Sequence, residues 1–256
     1  MTICLLIGAA AGLMSGLMGV GGGIVMVPLM TGLLGLTQHK AHGTSLAVII
    51  FTAIAGALTY GWKGHTDLLI ALELVVGSMV GARIGALVMN RIPARELRMI
   101  FGGFLFLVAL RMLFPLPGPL MRADPTTLSG LLVVVLIGLV AGILSGMLGV
   151  GGGIIFVPAM VWLLGLVQQD AQGISLLVII PTAIVGGLTH LRRGNVVPTV
   201  VPWIAATSIV AAVIGSSLAI GPLKSVLQQI FAVFLLVVSV QMIVTSWRQK
   251  PTKKAA

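Results

Sequence analysis

Hydrophobic residues fall in eight long runs separated by short polar stretches. The runs cover about residues 3–36, 44–60, 68–89 and 99–114, then 128–165, 172–190, 197–220 and 226–246. Most have the length of a single membrane-spanning helix, about 20 residues. The first and fifth are too long for one pass. Each is cut by a glycine cluster, Gly19-Val20-Gly21-Gly22-Gly23 in one and Gly149-Val150-Gly151-Gly152-Gly153 in the other. A proline follows, Pro28 or Pro158. Glycine and proline both weaken helices, so each of these runs is predicted to be interrupted.

The same pattern occurs twice. Gly12 to Pro28 reads GLMSGLMGVGGGIVMVP, and Gly142 to Pro158 reads GILSGMLGVGGGIIFVP. Aligned without gaps from Gly12 to Thr59 at an offset of 130, the two segments share 30 of 48 residues. Chance similarity of apolar segments does not reach that level. The chain therefore divides into a first transmembrane repeat (1–114), a linker (115–127), a second repeat (128–247) and a basic tail (248–256).

Charge indicates how the broken runs behave. If each enters the bilayer and returns to its own side, one face gathers ten cations: Lys40, Arg91, Arg95, Arg98, Arg192, Arg193 and the four of the tail. The other face holds four: Lys63, Arg111, Arg122 and Lys224. If each crosses once, the split becomes nine against five. The first arrangement obeys the positive-inside rule better. It gives each half an odd number of crossings, so the halves lie inverted to one another, a common transporter plan. Both termini fall on the cation-rich, cytoplasmic face.

Composition narrows the class further. Of 256 residues, 58% are hydrophobic and only 8% charged, against about 25% charged in a soluble domain. No charge appears between Asp124 and Asp170. These figures exclude a soluble enzyme, a disordered chain and a disulfide scaffold. The net charge of +10 does not point to nucleic acid, because its cations are scattered between apolar runs. The lone cysteine, Cys4, forms no internal disulfide. The apolar N-terminus lacks a basic leader and runs into the glycine motif, so it reads as retained structure.

The doubled GxxSGxxGVGGGxxxVP motif carries a resemblance, together with Gly43-Thr44-Ser45-Leu46, Gly173-Ile174-Ser175-Leu176 and the paired Thr-Ala-Ile at 52–54 and 182–184. In these features the chain resembles the sulfite exporter TauE/SafE family, also called the toluene-sulfonate uptake permeases. The likeness covers nearly the whole chain, including the 4+4 helical duplication usually described for that family. It implies transport of sulfite, sulfoacetate or other small organic anions across the cytoplasmic membrane. It specifies neither the anion nor the direction.

Candidate binding residues follow from chemistry. Gly21, Gly22 and Gly23, and likewise Gly151, Gly152 and Gly153, can present bare backbone amides at the start of a half-helix, where the dipole favours an anion. The plain alternative is that these glycines only allow close helix packing. Ser45 and Ser175 occupy matching positions, as do Thr52 and Thr182, and hydroxyls suit sulfonate oxygens. Their alternative is a bond to the preceding helical turn. Arg83 lies within an apolar run and its guanidinium fits an oxyanion, unless it snorkels to the interface. His42 lies three residues before Ser45 and could reach an anion at a cavity mouth; its alternative is a loop residue at the membrane edge. Glu73 is the one carboxylate within a span and a candidate for carrying a proton.

No motif of catalytic residues and no metal-ligand cluster occurs, so an enzyme, a metal and a cofactor are not expected. The sequence thus predicts an all-α polytopic membrane transporter with a mid-membrane site and alternating access. An anion channel and a permease for non-sulfur carboxylates remain as alternatives. The expected partners are a small anion and the lipid bilayer. A homodimer and a coupling proton are both compatible with the pattern.

Overall fold

The computed structural model of the chain describes residues 1–88, 94–114, 127–148, 152–223 and 226–248. Within them every regular element is helical. In order these are α1 (Thr2–Met18), α2 (Gly23–Leu33), α3 (Gln38–Trp62), α4 (Leu68–Val88), α5 (Ala94–Leu113), α6 (Leu128–Leu148), α7 (Gly153–Ala159), α8 (Gln168–Arg192), α9 (Val201–Ile220) and α10 (Leu227–Arg248). A π-helical turn, Met160–Leu164, continues α7. Four stretches are long and apolar enough to cross a bilayer: His39–Trp62, Gln168–Arg192, Val201–Ile220 and Leu227–Trp247. The interruptions fall where the sequence predicts them, between α1 and α2 and between α6 and α7.

Several boundaries differ from the hydrophobic pattern; α5 starts at Ala94 rather than near 99, and α8 at Gln168 rather than near 172. Helix α3 starts at Gln38, not near residue 44, so His39, Lys40 and His42 lie in its first turns rather than in a loop. The Ala41 N–H already reaches the Thr37 carbonyl at 2.9 Å. The helix outruns its apolar stretch, because the ends of a spanning helix leave the hydrocarbon while their backbone bonds continue.

Glycines decide which helices touch. Gly8, Gly12 and Gly16 of α1 abut the backbone carbonyls of Ile204, Ser208 and Ala212 in α9. The two helices therefore run parallel, at a separation only glycine permits. Helices α4 and α6 pair in the same way, with Gly138 on the Leu74 carbonyl and Gly142 on that of Ser78. Helix α8 runs antiparallel to α3, since Gly56 meets Leu176 while Gly43 meets Asn195 and His190. Helices α5 and α10 also pack together, with Gly102 against Ser239 and Ile243.

Helix α2 doubles back along α1. Gly22 lies against the Ala11 carbonyl, and Met26, Val27 and Met30 share one core with Cys4, Ile7 and Ala11. The α2–α3 turn thus returns to the face from which α1 departs. That face, here called proximal, also carries the α8–α9 turn. The opposite, distal face carries the α3–α4 turn, where His65 Nδ1 lies 2.7 Å from Asp170 Oδ1 of α8.

The outside of the bundle is apolar. On α4, Leu72, Val76, Met79 and Val80 are exposed, and on α10 Val233, Val237, Val240 and Val244. Spaced at three and four residues, they form stripes that water would not tolerate and hydrocarbon would. The chain is a multi-pass membrane protein.

Candidate functional site

The first break sits at mid-depth. Helix α1 ends on Gly19 in the left-handed conformation (φ 68°), whose N–H reaches the Ser15 carbonyl at 2.8 Å. Gly21 (φ 76°) and Gly22 (φ 77°) continue in that region, which is strained for any residue with a Cβ. Gly21 is wedged between Ile49 and Ile179, each the twelfth of 25 residues in α3 and α8. The turn thus lies where the two longest helices cross at their midpoints.

The two sides of this turn are satisfied differently. The end of α1 is closed by side chains from other helices. The Tyr60 hydroxyl lies 2.8 Å from the Gly16 carbonyl and 2.8 Å from Gln172 Oε1. Gln172 Nε2 donates to the Leu17 carbonyl at 2.9 Å, and Ser175 Oγ donates to the Gly19 carbonyl at 2.8 Å. Three donors therefore cover the negative end of the helix. At the start of α2, the Gly22 carbonyl accepts the N–H groups of Val25 and Met26 at 3.1 and 3.0 Å. Among the described residues no acceptor takes the N–H groups of Gly21, Gly22 and Gly23. Beside them lies Ser15, fully buried, whose hydroxyl has no hydrogen-bond partner among the described residues.

The second break meets the first. Gly152 (φ 81°) starts α7, and its carbonyl accepts from Ile155 and Phe156 at 2.9 and 3.1 Å, as Gly22 does for α2. A Cβ on Gly153 would lie 2.5 Å from Val20 Cα and 2.7 Å from the Gly19 carbonyl. The breaks are therefore in direct backbone contact. Gly151 lies outside the described residues.

The other candidate residues are placed as follows. Ser45 is buried and donates to the His42 carbonyl at 2.9 Å. Thr52 bonds Val48 of its own helix at 3.2 Å and Ser208 of α9 at 2.9 Å. Thr182 donates to the Val178 and Ile179 carbonyls at 2.7 and 2.9 Å. Each of these hydroxyls has a protein partner, and Ser175 alone of the four bonds a glycine of a break. Arg83 is exposed, five residues before the end of α4. His42 is half-buried at the proximal face, in the second turn of α3. The structure thus brings together the glycines and Ser175, and sets Arg83 and His42 apart from them.

Sequence reasoning missed Ser15, Tyr60 and Gln172. Ser15 had a signal, because Ser145 repeats it in the doubled motif. On the distal side, Gln168, Gln169 and Gln228 line an open recess of about 660 Å³. No group of three or more metal-ligating side chains occurs among the described residues.

Fold and site define the class, a polytopic helical membrane protein with two broken helices in contact at mid-depth. Residues 1–112 and 134–256 match the family described as Sulfite exporter TauE/SafE, and the chain belongs to that family. It is 33% identical over 187 residues to the "Probable membrane transporter protein YdhB" of Bacillus subtilis, covering 72% of this chain and 76% of the relative. It is 31% identical over 230 residues to the "Probable membrane transporter protein YunE" of the same organism, covering 81% and 82%. A "Probable membrane transporter protein" of Xylella fastidiosa is 29% identical over 248 residues, 94% of each chain. The family is one of transporters, not enzymes.

Proposed function

We propose that the protein carries a small sulfur-containing anion, of the sulfite, sulfonate or sulfoacetate class, through alternating access around the two breaks. One observation supports this most. At mid-depth, three glycine N–H groups without an acceptor among the described residues stand at the start of α2, beside a buried Ser15 hydroxyl that likewise has no partner among them. Donors desolvated in this way hold an oxyanion without any fixed positive charge. The second break carries Gly152 and Gly153 at the corresponding positions, while Gly151 of the expected set lies outside the described residues.

The two repeats, 1–114 and 128–247, are inverted in this reading. The 130-residue register supports it, since Gly8 on Ile204 and Gly12 on Ser208 are answered by Gly138 on Leu74 and Gly142 on Ser78. In this reading the proximal face is cytoplasmic, because the described Lys40, Arg192, Arg193 and Arg248 fall at that side of the bundle against Lys63 and Arg111 at the distal side.

A thermal-shift screen tests the site, using sulfite, sulfate, thiosulfate, sulfoacetate, taurine and simple carboxylates. Sulfur oxyanions are expected to raise the midpoint, and Ser15→Ala to abolish most of that rise. A hydrogen bond to a charged group contributes about 1.5–3 kcal/mol, or roughly 10- to 150-fold in affinity. Removing an unpaired buried hydroxyl costs the ligand-free protein nothing, so its own midpoint should hold or rise. Anion affinity unchanged by Ser15→Ala would sink the amide-and-hydroxyl site. A response to carboxylates alone would favour a carboxylate permease.

A further inference from the structure

The cap that closes α1 at the distal side has a counterpart of different chemistry at the proximal side. In the 130-residue register Tyr60 answers to His190, and Gln172 to His42. The packing follows that register. A Cβ on Gly173 would meet Tyr60 Cβ at 3.0 Å and abut the His65 carbonyl. A Cβ on Gly43 would meet His190 Cβ at 3.0 Å and abut the Asn195 carbonyl. His65 and Asn195 are themselves 130 residues apart. The two histidines therefore stand at the proximal face as the tyrosine and glutamine stand at the distal one.

The exchange alters what the pair can do. A phenol and a carboxamide keep their protons across the physiological range, whereas imidazole gains and loses one there. His190 is half-buried, and its Nδ1 is fully buried without a hydrogen-bond partner among the described residues. The charged and titratable groups acting on it are Arg193 of its own chain segment and His39 of α3. Lys40 and Arg192, on the same two helix ends, are exposed. Among the described carboxylates, Asp67 and Asp170 lie at the distal face and Glu73 in the distal half of α4. Glu96 is exposed at the start of α5. Among the described residues nothing acidic beside His190 would compensate its charge. An arriving anion would.

We propose that His42 and His190 form the binding site of a coupling proton, a step that rests on the anion-transport reading above. Proton and anion then bind in mutual support. Each raises the affinity for the other by the same factor, as linkage requires. The distal cap, having no such group, closes α1 without regard to pH. The proton taken up at the pair crosses with the anion and is released with it on the other side, so each turnover moves one of each.

The test rebuilds the distal cap at the proximal side with the double variant His42→Gln, His190→Tyr; His190→Gln alone is the milder second variant. Sulfoacetate is the probe, because it stays fully ionised between about pH 5 and 8. In proteoliposomes with the membrane potential clamped, the native protein should accumulate it about tenfold per unit of imposed pH gradient, for one proton per anion. Without ligand, its thermal midpoint should also vary across that pH range. Both variants should fold and exchange sulfoacetate, with no response to the gradient and a flattened midpoint profile. Gradient-driven accumulation that survives in both variants would overturn the proton site. So would native flux that ignores the gradient while sulfoacetate still binds. A native protein that binds no oxyanion at all would remove the transport reading first, and this one with it.

Discussion

Four glycines around the first break should respond very differently to one added methyl group. Gly32 lies inside α2, and a Cβ there meets nothing within 4 Å. Gly32→Ala should stabilise by about 0.5–1 kcal/mol, since alanine loses less backbone entropy in a helix. Gly35 has φ 65° with open space around it, so Gly35→Ala carries only the left-handed penalty, roughly 1–2 kcal/mol. Gly21 adds methyl contacts at 3.2 and 3.3 Å from Ile49 and Ile179, which side-chain rotation relieves. Gly22 adds a contact at 2.6 Å with the Ala11 carbonyl, which belongs to the backbone of α1 and cannot rotate away. Overpacking of that kind costs about 1–3 kcal/mol on top of the left-handed term. The expected order of stability is therefore Gly32→Ala, Gly35→Ala, Gly21→Ala, then Gly22→Ala. The extremes should differ by about 3 kcal/mol or more, or roughly 10 °C at 2–4 °C per kcal/mol. Fluorescence-monitored thermal unfolding in one detergent measures the series. Equal midpoints for Gly22→Ala and Gly32→Ala would refute the placement of α2 against α1.

Three shorter predictions test other parts of the molecule. Tyr60→Phe removes the shared donor of the Gly16 carbonyl and Gln172 Oε1 without opening a cavity, and should cost about 1–3 kcal/mol in thermal or denaturant unfolding; an unchanged midpoint would show that the cap is not formed. Arg83→Gln should leave anion affinity in the thermal-shift screen unchanged, because Arg83 is exposed; weakened binding would bring the guanidinium into the site. Lys40→Cys and Lys63→Cys flank α3, whose 25 residues span roughly 37 Å, so impermeant maleimide should label them from opposite faces. Cys4 is buried and should stay unlabelled, and labelling of both new cysteines from one face would overturn the helix directions.

The breaks were legible because they are local. A glycine triplet and a proline within one turn or two leave a backbone little choice, and Gly21, Gly22 and Gly152 do adopt positive φ. The direction of α2 was legible less directly, through the sum of charges on each face. The start of α3 was not, because Gln38 to His42 carry no apolar period while their backbone is helical all the same. The cap of α1 was hidden for a different reason. Tyr60 and Gln172 are 112 residues apart, and Gln172 and Leu17 are 155 apart. No spacing rule relates such positions. Gln172 stands 130 residues after His42 in the doubled pattern, and its own partners appear once α3 and α8 cross. The hydroxyls show the limit of reasoning by helix face. Ser45 and Thr52 do share a buried face of α3, yet one bonds its own preceding turn and the other bonds α9.

The contact between the breaks bears on how the two halves, inverted in the proposed reading, could act together. Gly153 has only backbone for a neighbour at Gly19 and Val20, and the Gly19 carbonyl is held by Ser175 of α8. The Ile179 side chain reaches both turns, but at Gly19 and Val20 the contact is backbone on backbone. A shift of α7 relative to α1 must therefore move both turns or break the Ser175 bond, since packed backbone is not continuously deformable. Under the alternating-access reading, this links the site's two sides. The donors at the start of α2 cannot be uncovered toward one face while the second break stays where it was. Each break carries glycines at this junction because any side chain there would wedge the halves apart. In the proposed mechanism, the residues that leave amides bare for an anion would thus also transmit the motion that exposes them.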